Sequence, residues 1–418
     1  MKAFIEFLDE VSYSGGELRL DKVSYTSLLN NRKTPTILFL KNTLRRNISA
    51  MRDAFQKHYP NTCIHYALKA SYLSEVCNEI KNAGLKVEIL SDMEYALCMK
   101  YGFKNEDIVF NGCAKSDEEL NLVIDNDIKC INCDSLSEIK RIDKIAQDKS
   151  KIVKIGLRVH PDIESNSLFV NRGEKLGIDV KSGEAERLAD EILMLKNVKL
   201  IGINCHMLAN ETSPTNHAKV AEELCKFSNV LKNKGLEIKF IDIGGGFNSH
   251  FKIRADGHSM NNFAESIAKS LADNGFDGEL IVEPGRYMVN DAFVILTKVV
   301  TKKISVGNTW VLVDAGTNVL IPTRHNRFHP ISCREKEELE TVNVGDGIGS
   351  TSGLITRNVE TYELDENDYV AIINSGCYTL TMSENFVYLK PEVVMVDGGD
   401  VSVIAEATKL EEFLDRVY

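Results

Sequence analysis

The sequence lacks the features of membrane, disulfide-stabilised and zinc-binding proteins. It has no stretch of about 18 consecutive apolar residues, so we expect no transmembrane helix. The first twenty residues carry acids inside their only apolar run and do not resemble a signal peptide. No second Cys or His pair follows Cys130 and Cys133 at zinc spacing, so we expect no metal site. Ten scattered cysteines in 418 residues suit a reducing compartment, and we expect a cytoplasmic protein.

The chain also lacks a basic surplus, low-complexity segments and a strong internal repeat. Lys and Arg total 50 against 61 Asp and Glu, a net charge of −11, which argues against a dedicated nucleic-acid-binding protein. Apolar residues make up 43% and charged residues 27%, which are ordinary globular values. The length allows two or three domains of about 150 residues, although one α/β barrel can take about 250.

A regular alternation of short apolar runs and amphipathic stretches extends from about residue 37 to residue 285. The spacing of roughly 20 to 40 residues predicts βα units on a parallel sheet. About eight such units favour a closed (β/α)8 barrel over an open doubly wound sheet. β-rich runs after residue 290 predict an antiparallel barrel or sandwich. We therefore predict an α/β protein with a TIM-like barrel over residues 36–288 and a mainly antiparallel β domain built from residues 1–35 and 289–418.

A lysine, Lys69, ends the apolar strand of the segment HYALKAS. Strand ends at the carboxyl rim of a barrel face the active-site mouth. An amine that is desolvated there has a lowered pKa and suits Schiff-base chemistry. The alternative is a strand-end lysine that reaches solvent.

Three consecutive glycines, Gly244–Gly246, follow the predicted seventh barrel strand in the segment IDIGGGF. Glycines let backbone N–H groups approach a phosphate closely, and phosphate sites in these barrels often follow strands seven and eight. The segment is neither a G-x-x-x-x-G-K-[ST] loop nor a GxGxxG fingerprint. The alternative is a flexible turn.

The predicted eighth strand carries a carboxylate and a guanidinium in the segment IVEPGRYMV. Arg286 suits phosphate binding, and Glu283 could pair with a protonated ring nitrogen, although an internal salt bridge between them is the alternative. His206 ends the sixth strand, where it could stack on a ring or be a satisfied core residue. Lysine, phosphate loop and pyridinium partner together are the set that pyridoxal phosphate requires.

The motifs HYALKA, IDIGGGF and EPGR resemble those of the alanine-racemase-like, fold type III pyridoxal-phosphate decarboxylases, the diaminopimelate, ornithine and arginine decarboxylase group. The resemblance runs over nearly the whole chain. It implies that Lys69 is the Schiff-base lysine and that His206 stacks on the cofactor ring. It also implies a head-to-tail homodimer with shared active sites, and a set of cofactor-binding residues: Glu88, Arg158, Gly244, Gly245, Gly246, Gly285, Arg286 and Tyr378.

Departures from the family pattern concern the substrate side of the site. Ser352 stands where amine-forming relatives keep a cysteine that protonates the product, and a hydroxyl is a far weaker acid than a thiol. Gly353 and Thr356 stand where acids would hold a distal amine. The family arginine before a proline is also missing, because Ile321 precedes Pro322. Two nearby residues, Arg324 and Arg327, could compensate for the missing arginine. The alternative is that they are exposed loop charges.

We therefore predict a pyridoxal-phosphate-dependent decarboxylase of an amino acid or amino-acid conjugate, acting through the Lys69 Schiff base and a quinonoid. Missing acids argue against a small diamine precursor, and the arginines suit a distal carboxylate or a larger conjugate. The alternatives on the same fold are a racemase or a decarboxylation-dependent transaminase. A further alternative is a non-catalytic, cofactor-binding regulatory homologue.

Overall fold

The computed structural model describes residues 5–163, 175–321, 327–349 and 353–415. The chain divides into two compact units. One contains Ile48–Asn248 and Asp256–Gly285. The other contains the described parts of Met1–Asn47, Ser249–Ala255 and Arg286–Tyr418.

The first unit is a closed parallel barrel of eight strands, in which the eighth strand pairs with the first. This confirms the predicted TIM-like barrel. A short strand, Ile178–Asp179, pairs in parallel with the end of the fifth barrel strand. In chain order the barrel strands are β1 (Thr62–Ala67), β2 (Lys86–Ile89), β3 (Ile108–Phe110), β4 (Cys130–Cys133), β5 (Val153–His160), β6 (Val198–Asn204), β7 (Phe240–Asp242) and β8 (Glu279–Val282).

Burial on both faces explains why the barrel strands read as continuous apolar runs. Every residue of β3 and β4 is buried, as parallel strands covered by helices are in general. Cys130 and Cys133 are two of these residues and are fully enclosed. The close cysteine pair is thus part of a core strand.

Helices follow most barrel strands, and serine side chains cap several of them. Ser91, Ser116 and Ser135 each accept a hydrogen bond from the backbone N–H three residues later, which satisfies a donor that the helix leaves free. None of the described helices is long and apolar enough to cross a membrane. The helices of the barrel unit are Ser74–Asn82, Asp92–Tyr101, Asp117–Asp125, Leu136–Asp148, Glu184–Leu193, Thr215–Asn233 and Met260–Asp273, and Lys41–His58 runs into this unit from the other.

The second unit holds a nine-stranded mixed sheet, mainly antiparallel, and a three-stranded meander of Val11–Ser14, Glu17–Leu20 and Val23–Ser24. Its short helices are Tyr25–Leu28, His250–Ala255, Arg286–Val289, Thr379–Met382 and Leu410–Leu414. The strands of the large sheet are, in order, Leu354–Tyr362, Leu339–Asp346, Asn308–Val313, Phe293–Ser305, Thr36–Leu40, Val393–Asp397 and Asp400–Ala405. Tyr369–Ile373 also pairs with Phe293–Ser305, and His329–Ser332 pairs with Tyr369–Ile373.

The strand Thr36–Leu40 differs from the sequence prediction, which placed the barrel start at residue 36. It pairs antiparallel with Phe293–Ser305 and parallel with Val393–Asp397, in the middle of the second sheet. All five of its residues are buried. A short apolar run buried on both faces has no periodicity that tells one sheet from another, so its apolar character could not assign it.

Candidate active site

Lys69 lies in a 3-10 turn, Leu68–Ala70, directly after β1. Its Nζ is 2.6 Å from Oε2 of Glu88, which lies in the neighbouring strand β2. The Glu88 carboxylate is 1% exposed, whereas the Lys69 side chain remains 28% exposed. A buried carboxylate therefore holds the amine at the carboxyl end of the barrel, while part of the lysine side chain stays accessible.

A second carboxyl group, that of Glu283, lies directly after β8 and is nearly fully buried. One amide connects it to the lysine. Nδ2 of Asn111 donates to Oε1 of Glu283 at 2.7 Å and to Oε1 of Glu88 at 3.1 Å. Lys69, Glu88, Asn111 and Glu283 thus form one continuous hydrogen-bonded line.

Asp242, the last residue of β7, adds a third buried carboxyl group. It accepts hydrogen bonds from the N–H of Gly244 at 2.9 Å and from Nδ2 of Asn204 at 2.8 Å, and it hydrogen-bonds to Glu283. Burial, followed by the nearby charges of Asp242 and Glu88, raises the pKa of Glu283 well above its usual range. Burial also raises the pKa of Asp242 to about 6. Both pKa shifts favour the protonated form of these carboxyl groups.

The three glycines after β7 make a turn that only glycine can form. Gly244 and Gly246 have φ angles of +68° and +90°. A Cβ on Gly244 would lie 2.7 Å from the carbonyl oxygen of Cys205, and a Cβ on Gly245 would overlap the carbonyl oxygen of Glu283. The turn therefore packs directly against the ends of β6 and β8.

The His206 ring is fixed by this turn. The N–H of Gly245 donates to Nδ1 of His206 at 3.2 Å, so Nδ1 carries no hydrogen. Burial, with smaller contributions from the charges of Lys69 and Arg158, lowers the pKa of His206 to about 3. The ring is a flat, neutral surface, which suits stacking on another ring.

Arg158 and Gly285 lie beside these groups. Arg158 is buried at the end of β5, and its Nη2 donates to the carbonyl oxygen of His206 at 3.4 Å. A Cβ on Gly285 would lie 3.0 Å from Cβ of Ala70, so glycine lets the chain after β8 pass close to the turn that carries Lys69. Arg158 and Gly285 therefore both lie at the carboxyl end of the barrel, next to His206 and to the turn that carries Lys69, respectively.

The remaining candidates belong to the second unit or fall outside the described residues. The Arg286 guanidinium lies 5.7 Å from the centre of the Tyr378 ring. Arg327 is exposed, and its carbonyl oxygen accepts from Nδ2 of Asn374 at 2.8 Å. Arg324 and Ser352 lie outside the described residues.

Sequence reasoning missed two polar residues of the network, Asn111 and Asp242. Asn111 directly follows β3, and Asp242 is the last residue of β7. Polar residues at the carboxyl ends of barrel strands are the signal that could have found them.

The donor set fits pyridoxal phosphate. It offers an amine for the aldehyde, a buried carboxyl group for the ring nitrogen, a flat neutral imidazole and a glycine turn. Asp242 and Asn111 hydrogen-bond to the Glu283 carboxyl group, but within the described part of the chain no lysine or arginine forms an ion pair with it, as a buried carboxylate needs. A protonated pyridine nitrogen would supply the cationic partner.

Comparisons with known proteins agree with this chemistry. The chain is similar to diaminopimelate decarboxylase of Aquifex aeolicus, at 28% identity over 97% of this chain and 96% of that protein. It is similar to the Methanocaldococcus jannaschii diaminopimelate decarboxylase at 26% identity, over 95% and 94%. A crystal structure of the M. jannaschii enzyme with L-lysine matches the fold with a TM-score of 0.89 at 24% identity, over 99% of this chain and 98% of that one.

A crystal structure from Aquifex aeolicus matches with a TM-score of 0.86 at 25% identity, over 99% of this chain and 98% of that one. Residues 44–290 match the sequence pattern of the pyridoxal-dependent decarboxylases, over the pyridoxal-binding domain. This stretch covers more than half of the chain, including the whole barrel. The chain therefore belongs to the pyridoxal-dependent decarboxylase family, whose cofactor is pyridoxal phosphate.

Proposed function

We propose that this chain removes CO2 from Cα of an amino acid, with pyridoxal phosphate bound through Lys69. The observation that carries the proposal is the hydrogen-bonded line from Lys69 through Glu88 and Asn111 to Glu283. It supplies an attachment point for the cofactor at one end and a partner for its ring nitrogen at the other. When bound, the cofactor supplies an electron sink for the electron pair left at Cα after CO2 departs.

Each residue of the site has a separate task in this proposal. Glu88 orients the Lys69 amine through their 2.6 Å contact, and the amine acts as a nucleophile in its unprotonated form. Glu283 would provide a negative charge for the ring nitrogen of a bound cofactor and would thereby favour its protonated form. His206 would offer its flat ring for stacking without adding charge, since its pKa of about 3 leaves it neutral at pH 7.

The phosphate group is assigned to the glycine turn. Gly244–Gly246 bring the backbone to the carboxyl rim without side chains in the way. By resemblance to the family, Arg286 and Tyr378, whose guanidinium and ring lie 5.7 Å apart within one chain, also bind the phosphate. The same resemblance implies that C-terminal residues reach the active site of a second copy of the chain. We therefore propose a head-to-tail homodimer, which light scattering on the purified protein would test.

The substrate is proposed to differ from diaminopimelate, the substrate named for the relatives. By the resemblance to the family, Gly353 and Thr356 stand where acids would hold a distal amine. A side chain at position 353 would overlap Oδ1 of Asp346, a buried carboxylate that accepts from the N–H of Ile348 and of Thr317. We propose a substrate without a distal ammonium group, with Arg324 and Arg327 as candidates for binding a distal carboxylate or a larger conjugate.

A substrate panel tests this proposal. The holoenzyme is incubated with diaminopimelate, ornithine, arginine, glutamate and acidic amino-acid conjugates, and CO2 and product mass are measured. We expect CO2 release from acidic substrates and little from diamino acids. CO2 release that is fastest with diaminopimelate would overturn the substrate assignment. A colourless protein that takes up no pyridoxal phosphate would overturn the enzymatic assignment, whereas cofactor uptake without any reaction would favour the regulatory homologue.

A second candidate reaction is decarboxylation-dependent transamination, which the replacement of the thiol by Ser352 favours. A weaker acid at that position slows protonation at Cα and gives protonation on the cofactor more time. CO2 release accompanied by stoichiometric pyridoxamine phosphate would identify this route. Retained CO2 with inverted Cα would instead identify a racemase.

A further inference from the structure

Asn111 lies between the two carboxyl groups that have different tasks in the proposed reaction. Its single Nδ2 donates to Glu283 at 2.7 Å and to Glu88 at 3.1 Å. Both hydrogens of this amide are therefore used, one on each carboxyl group. Asn111 is 3% exposed, so no water competes freely for either bond.

The orientation of the Asn111 amide is set by a second asparagine. Nδ2 of Asn132, in β4, donates to Oδ1 of Asn111 at 2.7 Å. Because an amide oxygen accepts and an amide nitrogen donates, this bond forces Nδ2 of Asn111 to face the carboxyl groups. Asn132 is itself fully buried.

Asn132 fits because the adjacent strand has a gap at Gly156. Asn132 and Gly156 are paired in register between β4 and β5. A Cβ on Gly156 would overlap Oδ1 of Asn132. A glycine in the middle of a strand costs stability, so its presence here matches the space that the asparagine needs.

A buried ion pair binds the backbone next to Asn111 and at Asn132. Nζ of Lys115 donates to the carbonyl oxygens of Gly112 at 2.6 Å and Asn132 at 2.8 Å, and it pairs with Glu138 at 2.6 Å. Lys115 and Glu138 are 1% and 3% exposed. The strand ends that carry Asn111 and Asn132 are thus tied to one buried cation.

We infer that Asn111 is a positioning residue, which orients Glu88 towards Lys69 and Glu283 towards the cofactor ring nitrogen through one amide, and that Asn132 and the gap at Gly156 hold this amide. The inference rests on the proposed function. A hydrogen bond donated to a carboxylate stabilises its charged form. Without Asn111, Glu283 would bind a proton more tightly and leave the ring nitrogen less protonated.

The test uses holoenzyme loaded with pyridoxal phosphate that carries 15N in its ring. The 15N chemical shift reports protonation of the ring nitrogen directly and needs no substrate. We expect Asn111→Ala to move this signal towards the unprotonated range and to weaken cofactor affinity about tenfold, the scale of one lost hydrogen bond to a charged group. Asn121→Ala is the matched control, because its amide bonds only within its own helix, to Asp117.

Two further variants act at a distance from the cofactor. Asn132→Ala should move the 15N signal in the same direction but less. Adding Gly156→Ala to Asn132→Ala fills the vacated space and should restore thermal stability without restoring the signal. If Asn111→Ala fails to fold, the 15N signal of this double variant tests whether Asn111 positions the two carboxyl groups. An unchanged signal in the variants overturns the inference. A wild-type enzyme that binds the cofactor but releases no CO2 overturns only the proposed function.

Discussion

The amine of Lys69 lies 2.6 Å from a carboxylate, Glu88, that is almost completely buried, although the lysine itself remains partly exposed. This pairing predicts that Lys69 is the attachment point of the cofactor. Lys69→Ala should abolish the visible absorption band of the holoenzyme and lower kcat at least about a hundredfold, the scale of lost acid–base catalysis. Absorption spectroscopy measures the first effect. Lys104→Ala, at an exposed position, should leave both unchanged.

Glu283 is expected to contribute to catalysis at the expense of stability. Glu283→Gln keeps the shape of the side chain but cannot oppose the ring nitrogen with a charge, so kcat should fall about a hundredfold. The melting temperature should stay the same or rise, because the variant removes the unfavourable proximity to Asp242 and Glu88. Calorimetry of the cofactor-free protein checks this. A large fall in melting temperature would contradict it, and Glu118→Gln serves as the exposed control.

The glycine turn allows a matched comparison of strain and steric overlap. Gly246 and Gly257 have φ angles of +90° and +82°, but a Cβ on Gly246 would lie 2.6 Å from the carbonyl oxygen of Leu208, whereas Gly257 faces open space. Gly257→Ala should cost only about 1 kcal/mol, as expected for left-handed backbone. Gly246→Ala should cost more and should weaken cofactor binding. Urea unfolding and cofactor titration measure the two effects, and equal costs would refute the close packing of the turn.

We expect the buried His217 to lower the free energy of unfolding of the protein in acid. Its Nε2 donates to the carbonyl oxygen of Gly245 at 3.0 Å, and its ring stacks on Phe247 with centres 4.1 Å apart. Burial lowers the pKa of His217 to about 4, below the usual value of 6.5. Its favourable neutral state is therefore fully present above pH 6.5, and stability falls as the pH drops towards 4.

The effect should reach about 3 kcal/mol, since each unit of pKa shift corresponds to about 1.4 kcal/mol. His217→Gln retains a donor for the Gly245 carbonyl oxygen but does not titrate. As the pH is lowered from 7 to about 5, the free energy of unfolding should fall less steeply for this variant than for the wild type. Denaturant unfolding at several pH values gives the two slopes, and identical slopes would exclude His217 as a contributor.

We expect the residue at position 352 to influence which product forms after CO2 is lost. By the resemblance to the family, Ser352→Cys introduces a stronger acid at the position of the family's thiol. The ratio of decarboxylated amine to pyridoxamine phosphate should rise at least severalfold. Mass spectrometry of the products measures this ratio. No change in the ratio would mean that another group protonates Cα.

The eight barrel strands were predictable because each is a short apolar run followed by a helix-like stretch. The sequence alone identifies four strand-end features of the site, namely Lys69, His206, the glycines and Glu283. Thr36–Leu40 was assigned to the wrong sheet, since a strand buried on both faces carries no information about its neighbours.

The contacts between these strand ends were not predictable. Asn111 is 172 residues from Glu283 along the chain, yet their side chains are 2.7 Å apart. No local pattern connects Gly156 with Asn132, although the missing Cβ of one makes room for the other.

By itself, the sequence determined the barrel and the chemical groups at its rim, because periodicity and residue type are local properties. Only the tertiary structure decided which carboxyl groups lie close together and which amide bridges them. Barrel closure brings strand ends together from distant parts of the chain, and hydrogen bonds depend on those distances rather than on sequence separation.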